Sequence, residues 1–268
     1  MARPTLPKLL RAPSRAAGLA GWTAFMLSAA EAHKALAHGL AGADEVRQEQ
    51  IFEGYMRTWT AVILEVLAVE LRQIGDKITP ATGPRLVVCN HRSAVDIPIL
   101  LTHFGGSVLS RGDLEHWPLL GLAAQKAQTI FVDRESKHSG AAAIRAIREQ
   151  LTRGRTISVF PEGTTFAGDE VRPFNAGAFA ACRGLEVEYV PVGLAYPPGY
   201  EYVEDSFVAH AQAVGARTGT PVVMNVGAPL RFAGREARAA AVAERLHEVV
   251  QELVTQARAV ADDRQGRR

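Results

Sequence analysis

From Arg85 onward the chain repeats one pattern: a short unbroken apolar run, a polar break, then a stretch with helical spacing. The runs are Arg85–Cys89, Val108–Ser110, Thr129–Val132, Thr156–Phe160, Glu188–Val192 and Val222–Val226. Runs of this length without polar alternation suit strands buried on both faces, and the helices between them supply the cover. The clearest helical stretch is Ser136 to Leu151, with Ile144, Ile147 and Leu151 on one face. From about Arg235 to Ala261 a second amphipathic pattern turns Leu246, Val249, Val250, Leu253, Val254 and Ala257 inward. The expected fold is α/β: a mixed, mostly parallel sheet covered by helices on both faces. A chain of 268 residues suits one such domain, or a domain with an appendage.

The appendage is expected at the amino end. Residues 1–30 carry Arg3, Lys8, Arg11 and Arg15 and no acidic residue, and Ala16 to Ala30 is uncharged. Fifteen residues fall short of the ~20 that cross a bilayer as a helix. Three readings remain open: a membrane-surface helix with its basic residues toward anionic lipid, a signal peptide ending near Ala30-Glu31-Ala32, and an ordinary packed helix. A second helical pattern runs from about Asp44 to Gln73, with Tyr55, Trp59, Val62, Ile63, Val66 and Leu67 as its apolar stripe. The organisation expected is a helical membrane-associating segment over 1–75, a connector from Gly75 to Gly83, and an α/β domain over 76–268.

In sheets of this kind chemistry sits on the loops that leave the strand ends. The loop after the first run reads Asn90-His91-Arg92-Ser93-Ala94-Val95-Asp96. Imidazole, with a reference pKa of about 6.5, can take a proton from a hydroxyl near neutral pH. Asp96 can hold the ring of His91 in the productive tautomer. Five positions apart, the two would meet across a turn or a bent first helical turn, and Pro98 suits the opening of a helix. A second loop carries Phe131-Val132-Asp133-Arg134 and a third Phe160-Pro161-Glu162-Gly163-Thr164-Thr165. Arg134 is either a surface ion-pair partner or a planar clamp for phosphate. Glu162 is either a turn residue or an acceptor for substrate hydroxyls, with Gly163 letting a ligand approach the backbone. In the fourth loop, Tyr189-Val190-Pro191-Val192-Gly193, Pro191 interrupts a strand pattern.

Taken together and in this order, Asn-His-x-x-x-x-Asp, Phe-Val-Asp-Arg, Phe-Pro-Glu-Gly-Thr and Val-Pro-Val resemble the four motifs of the glycerolipid acyltransferases. The branch they most resemble is the 1-acyl-sn-glycerol-3-phosphate acyltransferases, and the similarity covers roughly residues 80–230. The resemblance implies that His91 deprotonates the acceptor hydroxyl, Asp96 orients it, and the hydroxyl attacks an acyl thioester directly. It implies that Arg134, Glu162, Gly163 and Thr164 lie at the glycerol-phosphate end of the acceptor. Arg111 stands where the family often has a lysine and would add a phosphate contact. Pro191 would belong to the acyl-donor side or to the scaffold. The implied partners are a lysolipid acceptor, acyl-CoA or acyl carrier protein as thioester co-substrate, and a membrane surface. No separate cofactor or metal is implied. A lipid acceptor and a cytosolic thioester imply a place on the cytoplasmic face of the cell membrane.

The chain departs from the family pattern at three points. Gln128 stands where Gly is common before Thr129, Thr165 where relatives acting on lysophosphatidate often carry Arg, and Asn175 where Lys is common. Two cations are thereby absent, each worth ~1–3 kcal/mol as a phosphate contact, with Arg172 as a possible replacement. The Thr-Thr form also resembles the branch that acylates lyso-ornithine lipid. The alternative from another class is a catalytically silent lipid-binding or scaffolding relative, which a lost His or Asp would favour, and both His91 and Asp96 are present. Hydrolase, nucleotide and metal classes find no support. No G-x-S-x-G, G-x-G-x-x-G or Walker A pattern occurs, and His91 and Asp96 lack further ligand-type neighbours for a metal. A net charge of +2 gives no footprint for nucleic acid. Cys89 and Cys182, far apart, read as two buried thiols.

Overall fold

The computed structural model of the protein describes residues 8–111, 120–126, 129–132, 137–203 and 206–266. A seven-stranded sheet forms its centre, in the order β1-β7-β6-β2-β5-β3-β4. The strands are β1 (Val69–Gly75), β2 (Arg85–Cys89), β3 (Ser107–Arg111), β4 (Ile130–Val132), β5 (Thr156–Val159), β6 (Glu188–Ala195) and β7 (Thr220–Val226). All neighbouring pairs run parallel except β6 and β7. The sheet is therefore mixed and mostly parallel, as expected.

Each buried strand feeds both faces by the period of two. Leu86 and Val88 of β2 join Ile157 and Val159 of β5 in one apolar layer, which helices α5 (Lys137–Thr152), α6 (Gly177–Ala180) and α8 (Ala239–Gly266) cover. Val87 and Cys89 face the other way, with Val192 and Leu194, beneath α2 (Glu45–Val66), α3 (Asp96–Phe104) and α7 (Phe207–Ala216). The long α8 lies so close to β6 that a Cβ on Gly193 would meet the backbone of Leu253 and Val254 at 2.6 Å. Glycine is what lets helix and strand touch there.

At the amino end, α1 (Lys8–Ala41) is one helix of 34 residues, longer than the uncharged run suggested. It pairs with α2, whose entry is capped by Asp44 accepting the Arg47 N–H at 2.8 Å. Met26 of α1 packs on Met56 and Trp59 of α2, and the Trp59 indole N–H donates to the Thr23 hydroxyl at 2.9 Å. No helix among the described residues is long and apolar enough to cross a membrane. The helical segment expected to reach residue 75 stops at Val66. Ala68 takes φ 53°, and Val69–Gly75 then adds to the edge of the sheet beside β7. Its half-exposed alternation was masked in the sequence by the apolar helix just before it. The remaining α4 (Leu120–Lys126) is a short helix between β3 and β4.

Candidate active site

Strands β2, β5, β3 and β4 are mutually parallel, so their carboxyl ends share one edge of the sheet. At that edge β2 is ended by the side chain of Asn90. Its amide Nδ2–H donates to the Leu194 carbonyl at 2.9 Å, and its Oδ1 accepts the Leu194 N–H at 2.8 Å. A side chain thus stands in for one step of the ladder, and the main chain is released into a turn. The Asp96 N–H closes that turn on the Ser93 carbonyl at 3.1 Å and opens α3.

His91 and Asp96 meet across this turn, as the spacing required. His91 Nδ1 lies 2.8 Å from Asp96 Oδ2. The same oxygen accepts the N–H groups of Arg92 at 2.7 Å and Ser93 at 2.9 Å. The other oxygen accepts the Tyr196 hydroxyl at 2.5 Å. Burial, and then the neighbouring Asp96, push the Tyr196 phenol well above its ordinary value, so it stays a donor. Every other group around the carboxylate donates to it. Asp96 therefore fixes the proton of His91 on Nδ1 and leaves Nε2 with its lone pair. The imidazole stacks on Phe160, with centroids 4.0 Å apart and planes 14° from parallel. His91 keeps 13% side-chain exposure whereas Asp96 has none. The imidazole faces outward and all that orients it is dry, which strengthens its hydrogen bonds.

Glu162 lies elsewhere than expected. Its carboxylate is fully buried against Arg92, itself 2% exposed. Oε1 accepts the His91 N–H at 2.7 Å and Arg92 Nη1–H at 2.9 Å; Oε2 accepts that same Nη1 at 3.1 Å and the Arg172 N–H at 2.8 Å. Three internal donors occupy it, so it holds the His91 turn and is not directed outward to a substrate hydroxyl. Arg92 in turn donates to the carbonyls of His91, Gly168 and Glu170. This buried pair binds the His91 turn to the loop that follows β5.

That loop runs over residues 160–175. Gly163 sits at φ 84°, and a Cβ there would meet Asn175 Nδ2 at 3.1 Å, so the turn after Glu162 needs glycine. Thr164 is exposed. Thr165 is not free for a ligand through its hydroxyl, which donates to the Tyr202 carbonyl at 2.7 Å. The Phe166 N–H donates to the His91 carbonyl at 3.3 Å. Arg172 lies over the Phe166 ring, 5.2 Å from its centroid, and 3.2 Å from Glu170. Helix α8 braces the loop from behind. Gln251 bonds Val171 and Asp169, and Arg258 grips Asp169 at 2.6 and 2.8 Å and also donates to the Tyr196 carbonyl.

The remaining expected residues divide. Arg111 is the last residue of β3, opposite Val132 at the end of β4, on the edge that carries His91. Arg134 lies outside the described residues. Pro191 is buried inside β6 opposite Val88, and its carbonyl accepts the Gly227 N–H at 2.9 Å, which is a scaffold position. Cys89 is a buried thiol, pushed well up by burial and by Asp96 and Glu162, and so remains protonated. Sequence reading missed Arg92 and Tyr196 as partners of the dyad. Arg92 stood inside the motif as a charged residue between His91 and Ser93, with nothing local to mark it as buried. Tyr196 gave no signal beyond following an apolar strand.

A family model described as Acyltransferase matches residues 70–195. The chain is 36% identical over 187 residues to the lyso-ornithine lipid O-acyltransferase of Pseudomonas aeruginosa, covering 70% of this chain and 69% of that one. It is 32% identical over 144 residues to the 1-acyl-sn-glycerol-3-phosphate acyltransferase of Neisseria gonorrhoeae, covering 54% of this chain and 51% of that one. The crystal structure of the 1-acyl-sn-glycerophosphate (LPA) acyltransferase PlsC from Thermotoga maritima matches with a TM-score of 0.66 at 20% identity, over 92% of this chain and 98% of that one. That likeness shows a shared fold. The chain belongs to this family of acyltransferases. Its relatives carry the names of two lysolipid acyltransferases, so the family is fixed more firmly than the acceptor.

Proposed function

We propose that this chain moves a fatty acyl group from an acyl thioester, acyl-CoA or acyl carrier protein, to the free hydroxyl of a lysolipid. The observation that carries the chemistry is the His91–Asp96 pair, at 2.8 Å, with the accepting nitrogen of His91 turned away from Asp96. The acceptor hydroxyl gives its proton to His91 Nε2 as its oxygen forms a bond to the thioester carbonyl carbon. Collapse of the tetrahedral intermediate breaks the carbon–sulfur bond, and the departing thiolate takes the proton from the imidazolium. Asp96, held by three further donors, stabilises the imidazolium in between. No acyl-enzyme and no additional cofactor is required.

As acceptor the first reading is 1-acyl-sn-glycerol-3-phosphate, giving phosphatidic acid for phospholipid biosynthesis. Relatives from Neisseria and Helicobacter carry that name. Arg111, Arg134, Gly163 and Thr164 would then line the phosphate end, with Arg172 in place of the absent cations. Lyso-ornithine lipid is the second reading, and two observations favour it. Thr165, where an arginine would serve a phosphate, is tied to the Tyr202 carbonyl. Arg172 also has a carboxylate, Glu170, beside it, which suits a head group of both charges.

The helices of residues 1–75 fit a membrane surface on the cytoplasmic face. Leu10, Phe25, Leu36 and Leu40 are exposed along α1, Leu40 by 85%, and large apolar side chains exposed along one helix are what an interfacial helix presents. The residues from 76 on, with β1, would form the catalytic domain. The test is thiol release from acyl-CoA, and from acyl carrier protein, with each lysolipid added in anionic vesicles. Release with lysophosphatidate supports the first reading; release only with lyso-ornithine lipid replaces it by the second. Release with neither refutes the proposed reaction. Failure of the protein to sediment with the vesicles refutes the membrane role.

A further inference from the structure

A second histidine lies behind the catalytic turn. His210, on α7, is fully buried, and its Nε2 lies 3.0 Å from the Ser93 hydroxyl. Ser93 is the midpoint of the turn between His91 and Asp96. Its own N–H is one of the donors to Asp96 Oδ2, and its Oγ accepts the Val95 N–H at 3.3 Å. The bond to His210 therefore fixes the side chain of a residue whose backbone, with that of Arg92, helps hold the Asp96 carboxylate. The ring of His210 stacks on Tyr202 at 4.5 Å and 19°. Tyr202 donates its N–H to the Arg92 carbonyl at 2.7 Å and accepts Thr165 through its own carbonyl.

Helix α7 is itself anchored at its far end. Arg15 of α1 donates to the carbonyls of Gly215 at 2.9 Å and Arg217 at 2.7 Å. A Cβ on Gly215 would stand 3.3 Å from Ala12, so the two helices meet closely there. His210 is thus presented to the turn by a rigid element seated from outside, and not by a loop that follows the turn.

We propose that His210 is a positioning residue for the reaction: by bonding Ser93 it sets the turn in which Asp96 orients His91. The proposal rests on the acyl-transfer reading for its kinetic readout alone. A turn released by tenths of an ångström lowers the fraction of time the base is aligned, without touching either substrate. The effect belongs in kcat, and the Michaelis constants for donor and acceptor stay as they are.

Two substitutions separate the bond from the packing. His210→Gln keeps a polar nitrogen near the position of Nε2 and loses the stacked ring; His210→Phe keeps the ring on Tyr202 and loses the bond. With wild-type melting behaviour as the control, His210→Phe should lower kcat by ~10- to 100-fold. His210→Gln should recover most of it, and in a Ser93→Ala background His210→Phe should add no further loss. Phe as active as wild type, or Gln as impaired as Phe, overturns the proposal. If the Phe variant does not fold, Ser93→Ala alone decides: it removes the other half of the bond and should show the same loss in kcat, and unchanged kcat overturns the role. If wild type itself releases no thiol, the acyl-transfer reading fails and the readout becomes the low-field Nδ1–H proton resonance of His91. Its loss in His210→Phe and retention in His210→Gln supports the positioning, and its retention in both overturns it.

Discussion

Glu162→Gln separates a carboxylate that reads substrate from one that holds the catalytic turn. Replacing it by an amide removes the charge facing Arg92, which is 2% exposed and keeps only neutral carbonyl partners. Removing one partner of a buried pair typically costs about 3–5 kcal/mol. The three carbonyls on Arg92 solvate part of its charge, which favours the lower end. A second loss adds to this. Oε1 accepts from His91 and Arg92, and Oε2 from Arg92 and Arg172. Whichever oxygen becomes an NH2 group then faces a donor with a donor. A net loss of roughly 3–4 kcal/mol lowers the melting temperature by about 6–16 °C at 2–4 °C per kcal/mol for a domain of this size. Because either amide orientation loosens the hold on the His91 turn, turnover should fall in parallel. The assay pairs thermal unfolding by circular dichroism with lysolipid-dependent thiol release on the same samples. An unchanged melting temperature with a raised Michaelis constant for the acceptor alone would refute the reasoning, since it would put Glu162 on the substrate.

Two further outcomes are expected, the first from the site geometry and the second from the proposed acceptor. Tyr196→Phe deletes the 2.5 Å hydrogen bond to Asp96 and should cost ~1.5–3 kcal/mol, as bonds to charged acceptors do, read from denaturant unfolding. The folded phenol titrates above the unfolded one, so its contribution is complete below pH ~10 and fades as pH rises beyond it; the fall in melting temperature above that pH should be shallower in the variant, and identical alkaline profiles contradict the assignment. Arg134→Ala should raise the Michaelis constant for a phosphate-bearing acceptor more than that for acyl-CoA, and an equal rise in both removes the clamp.

Much of this was legible because the buried sheet leaves a strong imprint. Unbroken apolar runs such as Arg85–Cys89 and Thr156–Phe160 became the core strands Arg85–Cys89 and Thr156–Val159, almost residue for residue. The His91–Asp96 contact was legible because a strand end and a helix start bracket it. What escaped reading depends on contacts far apart in the chain. Val69–Gly75 earns its strand only by lying beside β7, 151 residues on at Thr220, and its own sequence continued a helix. Glu162 looked like a ligand residue because an isolated carboxylate after Pro161 gives no sign of Arg92 waiting 70 positions earlier. Tyr196 and His210 bond residues 100 and 117 positions away, and neither carries a local pattern that announces it.

The central claim is that His91 is the base, aligned by Asp96. It is tested most directly by comparing wild type and His91→Ala for thiol release from acyl-CoA in the presence of the active lysolipid, with melting temperature and vesicle binding followed alongside. The account predicts a drop of ~10²-fold or more in turnover with the fold and vesicle binding intact. Turnover within a few fold of wild type would contradict it, because the proton would then leave by a route that does not pass through His91.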